Sequence, residues 1–470
     1  LIWLGIAFGI LLGTYKLFTF REIAKKVKKA TETSSAQGKK LAASKLPFLA
    51  YKPLKAASNF KAKELAFFSL LKLELKSVFK SLPFIAVLLM WVFIVFSELY
   101  STLVSGGEYG VSVYPFTNQL IKLIVNPLTI FSLILIVFYS SEIVWKERSL
   151  NLNLIIDATP VKNSVFFLSK FSALILLPVI LTTVGVIMCI SFQMALGYSN
   201  FEFGLYASLF YHYGVQLVVF CMIALFVNSL AKTKYMGMGI FGLITLLILK
   251  SGMLGLEHPL TSLGFLPRIT SNNMDGFNGV SNLFNHLAIY WIAFGLLLTI
   301  LSFKIWNRGI GASFSVKMKQ LFTNWTKFQK LSISFLMILF IGFGSLIFYN
   351  VNIVSEYKSS NDRLDFSENY ERKFKKYEEV ERLYPTSIKT EVAIYPKDRS
   401  YTVSANYVLI NRSEKPISQV FITERKTLDT AYIENADLIK HDAEFGIYLF
   451  KFKKALQPLD SVVFKFQLTN

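Results

Sequence analysis

Long apolar runs separated by short polar segments make up most of the chain. A hydrocarbon core of about 30 Å takes about 20 apolar residues in a helix. Eight runs approach that length, near residues 1–15, 83–101, 118–140, 164–192, 205–230, 236–256, 284–303 and 331–350. The pattern predicts a polytopic α-helical membrane protein of about eight spans. From Ile388 the period changes to two, in "IKTEVAIY", "SYTVSANYVLINRS", "SQVFITER", "EFGIYLFKF" and "SVVFKFQLT". Such alternation predicts half-buried antiparallel strands, with turns at "PKDR", "RSEKP" and "QPLD". A C-terminal antiparallel β-sandwich of at least five strands is expected over 388–470.

The segments around the spans add detail. Residues 351–387 read as a charged helical connector, with Tyr370, Phe374 and Tyr377 at helical spacing and Pro385 ending the run. Over 64–82, Leu65, Phe68, Leu71 or Leu75, and Phe79 recur at helical spacing, opposite Lys72, Lys76 and Lys80. That is an amphipathic helix suited to the headgroup layer, and Pro83 separates it from the next span. Residues 21–63 form a polar, basic linker. The chain opens at Leu1 within an apolar run and stops within an alternating one. The expectation is a fragment of a longer protein, with residues 1–20 the last span of an upstream unit.

Composition agrees with the spans. Of 470 residues, 53% are hydrophobic and 44 are Phe, too apolar for a soluble protein of this length. The net charge is +20, but its distribution argues against a nucleic-acid surface. Residues 1–350 hold 31 Lys/Arg against 12 Asp/Glu, and residues 351–470 hold 19 against 18. The excess flanks the apolar runs, as the positive-inside rule requires. Membrane lipids, and not nucleic acid, are the expected partners. The basic segments 16–80, 141–163, 231–235 and 304–330 read as cytoplasmic. Residues 102–117 and 193–204 carry no Lys or Arg, and 257–283 only Arg268, so these read as external. The final span, 331–350, then sends 351–470 outside. Cys189 and Cys221 lie in apolar runs and read as buried thiols.

Several polar residues lie in or near the spans. Lys122 and Lys170 sit near span ends and read as snorkelling side chains. His212 and Gln216, four apart, share a helix face and are candidates to line a substrate path or to hydrogen-bond a neighbouring helix. Small residues at 237, 239 and 242 in "YMGMGIFG" predict close helix packing.

The segment "SSEIVWKERSLNLNLIIDATPVKNS", residues 140–164, sets Glu142, Lys146, Glu147, Arg148 and Asp157 between the second and third spans of a six-span unit, 83–303. It resembles the permease subunits of ABC-2 type transporters. The matching residues are Glu147, Arg148, Asp157, Ala158, Thr159, Pro160 and Val161, then Lys170 and Phe171. Ser149-Leu150-Asn151 stands where the family has a glycine, and Ser169 replaces the glycine before the lysine. The resemblance implies a coupling helix that docks on a separate ATP-binding ATPase subunit. Trp145 and Leu150 to Ile156 would supply apolar anchors, and Lys146, Glu147, Arg148, Asp157, Thr159 and Pro160 the remaining contacts. It also implies a second six-span unit, upstream in the same chain or in a partner protomer, and the bacterial inner membrane. The chain has no P-loop of its own: Gly38-Lys39 has Thr33 in place of the first glycine and is followed by Lys40.

The stretches "AIYPKDRSYTVSANYVLINRSEKPISQVFI" and "ALQPLDSVVFKFQLT" resemble the amino-terminal β domain of M1 family aminopeptidases. Pro458-Leu459-Asp460-Ser461 lacks that family's glycine. The resemblance implies an extracytoplasmic domain and zinc held elsewhere by H-E-x-x-H. His212, His258, His286 and His441 form no such motif, so no metal ligand or catalytic residue is assigned here. His441 reads as a turn residue. Two functional readings follow. One is an ATP-driven permease bearing an outer peptidase-like domain. The other is a membrane-anchored zinc aminopeptidase whose catalytic part lies beyond this chain. A third, a membrane protein whose β region binds a partner, stands behind them.

Overall fold

The computed structural model describes residues 60–469, apart from short segments at 107–109, 111–112, 265, 268, 270–277, 307–313, 324, 379, 399 and 425–427. The expected first span, 1–15, and the linker 21–63 up to residue 59 lie outside the described residues.

Helix α1 (Phe60–Phe79) ends at a tight elbow, and α2 (Leu82–Leu103) begins with Pro83 in its first turn. There the missing N–H costs nothing. α3 (Thr117–Ser149) and α5 (Asn163–Ala195) are 33 residues each, and a short helix, α4 (Asn153–Asp157), lies between them. α6 (Phe203–His212) and α7 (Gly214–Leu230) are broken at Tyr213. α8 (Lys234–Leu249), α9 (Asn278–Ile305), α10 (Phe314–Phe322) and α11 (Lys327–Phe348) follow.

Among the described residues, six helical segments are long and apolar enough to cross a membrane: Leu82–Leu103, Thr117–Ser149, Asn163–Ala195, Phe203–Leu230, Ser281–Ile305 and Lys327–Val354. The protein is therefore a multi-pass helical membrane protein. The run expected at 236–256 behaves differently. α8 has only 16 residues, roughly 24 Å of rise, and a 3₁₀ turn, Ser251–Leu254, continues it. Trp91, Leu120, Ile124, Leu128, Ile136, Leu177, Phe220, Phe241 and Phe284 belong to one buried cluster shared by α2, α3, α5, α7, α8 and α9. α11 sits at the periphery, with 11% of its apolar window buried against 56% for the α6–α7 segment.

The bundle has two distinguishable ends. At one, Glu142 pairs with Lys234, and the Lys317 ammonium donates to the Ser229 and Ala231 carbonyls at 2.7 and 3.2 Å. The basic segments meet here. The chain leaves this end through α8 and α11, and residues beyond those helices meet again. The Glu257 carboxylate accepts from the Ser360 N–H at 3.0 Å and its hydroxyl at 2.7 Å. Ser360 opens α12 (Ser360–Phe374), whose Tyr370 and Phe374 pack with Tyr377, Phe421 and Phe445. That helix stops at Phe374, not at Pro385, because the strand conformation is already established by Leu383. Pro385 instead adjoins a bulge, where its missing N–H is tolerated.

Among the described residues the C-terminal β-rich region has seven antiparallel strands: β1 (Leu383–Tyr395), β2 (Ser400–Asn411), β3 (Ile417–Thr423), β4 (Thr430–Ile433), β5 (Ala436–Asp442), β6 (Ile447–Leu456) and β7 (Ser461–Thr469). They form two sheets, ordered β1-β2-β7-β4 and β3-β6-β5. Leu409, Val420, Ile433, Phe450 and Phe464, drawn from both, share one buried cluster. His441 is a strand residue of β5 stacked on Tyr448, not a turn residue.

Two motif residues have a physical role here. Asn411 is fully buried, and its amide donates to the Lys415 and Leu456 carbonyls while its oxygen accepts from Ser413. It ties the turn after β2 to the end of β6. Leu459, in the β6–β7 turn, has φ +69°. This is the position where glycine is expected and absent, and a side chain there costs about 1–2 kcal/mol.

Candidate functional site

The C-terminal end of α3 is a hub. Polar side chains between Tyr139 and Glu147 reach four neighbouring elements, because a continuous helix turns successive side chains by about 100°. Tyr139 shares a hydrogen bond with Ser81 in the α1–α2 elbow. Ser141 donates to the Asn228 carboxamide oxygen of α7 at 2.7 Å, and the Asn228 amide donates to Ser140 at 3.0 Å. α8 approaches closely at the same point. A Cβ added at Gly237 would lie 2.1 Å from the Asn228 oxygen, whereas one at Gly239 meets nothing within 4 Å. Of the small residues in "YMGMGIFG", Gly237 makes the tightest helix contact, and a Cβ at Gly242 would meet Val137 of α3 at an ordinary 3.6 Å.

One turn further, four charges form a buried cluster. Glu74 of α1 accepts from Lys146 of α3 at 3.1 Å and from Lys170 of α5 at 3.0 Å. The Lys170 ammonium also reaches Glu147 at 2.6 Å and the Ile143 carbonyl at 2.5 Å. Lys170 and Glu74 are 3% and 5% exposed. Two carboxylates and two ammonium groups balance. Two charges taken out of water are tolerated only with such close pairing. Lys170 therefore does not snorkel; it is the joint between α1, α3 and α5.

This arrangement revises the expected roles in 141–163. Trp145, Lys146, Glu147 and Arg148 lie on the last turns of α3 and not in a loop. Lys146 and Glu147 face the bundle. Trp145 is half-buried under Arg148, whose guanidinium lies 5.2 Å from the ring. Both line a pocket with Glu147, Asn153, Lys170 and Lys317. Burial there, with Arg148 nearby, pushes the Lys317 ammonium below the ordinary lysine value. What faces outward is apolar: Leu150, Leu152, Leu154 and Ile155, the last two 64% and 70% exposed. Asp157 is half-buried, and Thr159 and Pro160 are exposed in the turn leading to α5.

α1 also differs from expectation. Glu74 and Val78 are buried, and Leu71 and Leu75 pack on the bundle core. Leu65, Phe68, Leu73 and Phe79 stay exposed beside Lys72, Lys76 and Lys80. One apolar stripe thus serves the bundle and a second remains outside. His212 and Gln216 do not share one continuous helix face, because the break at Tyr213 falls between them. His212 lies edge-on to Phe284.

The residues that sequence reasoning missed are Glu74, Ser140, Ser141, Asn228 and Lys317. Glu74 had a detectable signal: it is the sole acid between Leu65 and Lys80. Among the described residues no group of three or more His, Cys, Asp or Glu is placed to hold a metal ion. No protein-family model, curated protein or solved structure matches the chain.

Proposed function

We propose that this chain is the membrane-spanning permease subunit of an ABC-2 type transporter. It works with a separate ATPase at the end where its basic segments gather, and carries a peptidase-like β-sandwich beyond the opposite face of the membrane. The observation that supports this reading is the exposed apolar tip Leu150, Leu152, Leu154 and Ile155, borne on α4 between two 33-residue helices. An apolar patch rimmed by polar residues marks a docking surface. A short helix braced by a charge cluster transmits displacement to α3, α5 and α1 with little slack. ATP hydrolysis in the partner would thus be read by the spans through this tip.

The test is a photo-activatable cross-linker at Leu154 in native membranes, with the captured partner sequenced by mass spectrometry. A Walker A-bearing ATPase is expected, and Leu154→Asp with Ile155→Asp should abolish its capture while the chain still inserts. A non-ATPase partner, or capture of lipid alone, would overturn the proposal.

A further inference from the structure

The four-stranded sheet has one long open edge. β1 pairs only with β2 among the described residues, over twelve positions from Leu383 to Tyr395. The edge strand on the other side, β4, has four residues. Residues opposite one another in an antiparallel ladder share a face. Ile388, Val392 and Ile394 stand opposite Tyr407, Val403 and Tyr401, which pack against the buried core of the two sheets. On β1 that same face is uncovered: Ile388, Val392 and Ile394 are 58%, 53% and 70% exposed. A long, apolar, unpaired edge invites another strand.

The chemistry of β1 specifies which strand. Its centre reads Ile388-Lys389-Thr390-Glu391-Val392, apolar, basic, polar, acidic, apolar. Reversed, the order of apolar and charged positions is complementary to itself. We propose that β1 joins a second copy of this chain, antiparallel, with Thr390 on the two-fold axis. Ile388 then lies opposite the partner's Val392 on the core face, and Lys389 opposite the partner's Glu391 on the other. The contact is isologous, so each favourable pair occurs twice. Neighbouring registers centred on 389 or 391 set Lys against Lys or Glu against Glu, and in-register parallel pairing repeats like charges along the strand. Cross-strand charge complementarity therefore selects the register. The result is a continuous sheet made of two four-stranded halves. Only the short β4 edges remain at its ends, so the assembly closes at two copies.

The full chain in membranes tests this. Cys189 and Cys221 are buried and leave a low background. Thr390→Cys should give a covalent dimer with a short thiol cross-linker, while Thr430→Cys, on β4, should not. Lys389→Glu and Glu391→Lys should each lower dimer yield about tenfold, because two attractive pairs become repulsive. Combining them should restore it. The proposal fails if Thr390→Cys cross-links no better than Thr430→Cys, or if the charge swap does not restore dimer. It also fails if Tyr395→Cys, remote from the axis in this register, cross-links as well as Thr390→Cys, which would mean unspecific edge association.

Discussion

Lys170→Met removes the centre of the charge cluster while keeping the length and most of the volume of the side chain. Lys170 is the partner of Glu147 at 2.6 Å and one of two partners of Glu74. Its loss leaves Glu74 on Lys146 alone and strips Glu147 of its ammonium. The cluster passes from neutral to one excess negative charge in a site where Glu74 is almost sealed from water. Breaking a buried pair by removing one partner costs about 3–5 kcal/mol. Glu147 is 19% exposed at its side chain, and water reaching it argues for the lower figure, about 3 kcal/mol. Cys189 and Cys221 provide the assay: both are buried, so a thiol-reactive dye reports unfolding of the bundle on heating. The variant should melt several degrees lower, since each kcal/mol moves Tm by a few degrees at most in a large domain. Adding Glu147→Gln should recover about half of the loss by removing the orphaned charge. A Lys170→Met protein within about 1 kcal/mol of the parent would refute the reasoning, because the cluster would then be no mechanical joint.

Three further outcomes are expected. Leu459→Gly should stabilise the β-rich region by about 1 kcal/mol in chemical denaturation, because glycine accepts the +69° φ without strain. Gly237→Ala should destabilise the bundle by about 1–3 kcal/mol in the same thiol assay, as its methyl displaces Asn228 from Ser140 and Ser141, while Gly239→Ala should be neutral. The Ser360 hydroxyl and N–H hold the Glu257 carboxyl below the ordinary glutamate value. A depressed carboxyl contributes its stabilisation above its unfolded value and loses it as pH falls through the folded one. Hydrogen exchange at the start of α12 should therefore rise on acidification below the ordinary glutamate range. Glu257→Gln should show raised exchange already at neutral pH and little further change.

The spans were legible because a helix crossing lipid must be apolar for about 20 residues, a signal that survives without any knowledge of neighbours. The strands β2, β3, β6 and β7 were legible for a similar reason, since one face of each meets a core, and β1 keeps the same alternation although its apolar face is uncovered. β4 was not, because four residues hold too little alternation. β5 was hidden by Asp437, Lys440 and His441, which a largely exposed strand can accommodate. The break at Tyr213 carries no proline, and its only mark is Gly214. The charge cluster was the least legible feature. A lysine seven residues into a span looks identical whether it snorkels or finds a carboxylate. The carboxylate it finds, Glu74, is 96 residues away in sequence. Lys146 and Glu147 stand out in the sequence as charges, but their direction is set by α3 continuing to Ser149 instead of ending near 140. Sequence periodicity tells which residues share a face, and only packing tells which partner that face meets.

The proposed function depends on sidedness: α4 and the β-rich region must lie on opposite sides of one membrane. Leu154→Cys and Thr430→Cys, each labelled with a membrane-impermeant maleimide in intact cells and in inside-out vesicles, test it directly. Residue 154 should label only in inside-out vesicles and residue 430 only from outside. Labelling of both positions in the same preparation would contradict the account.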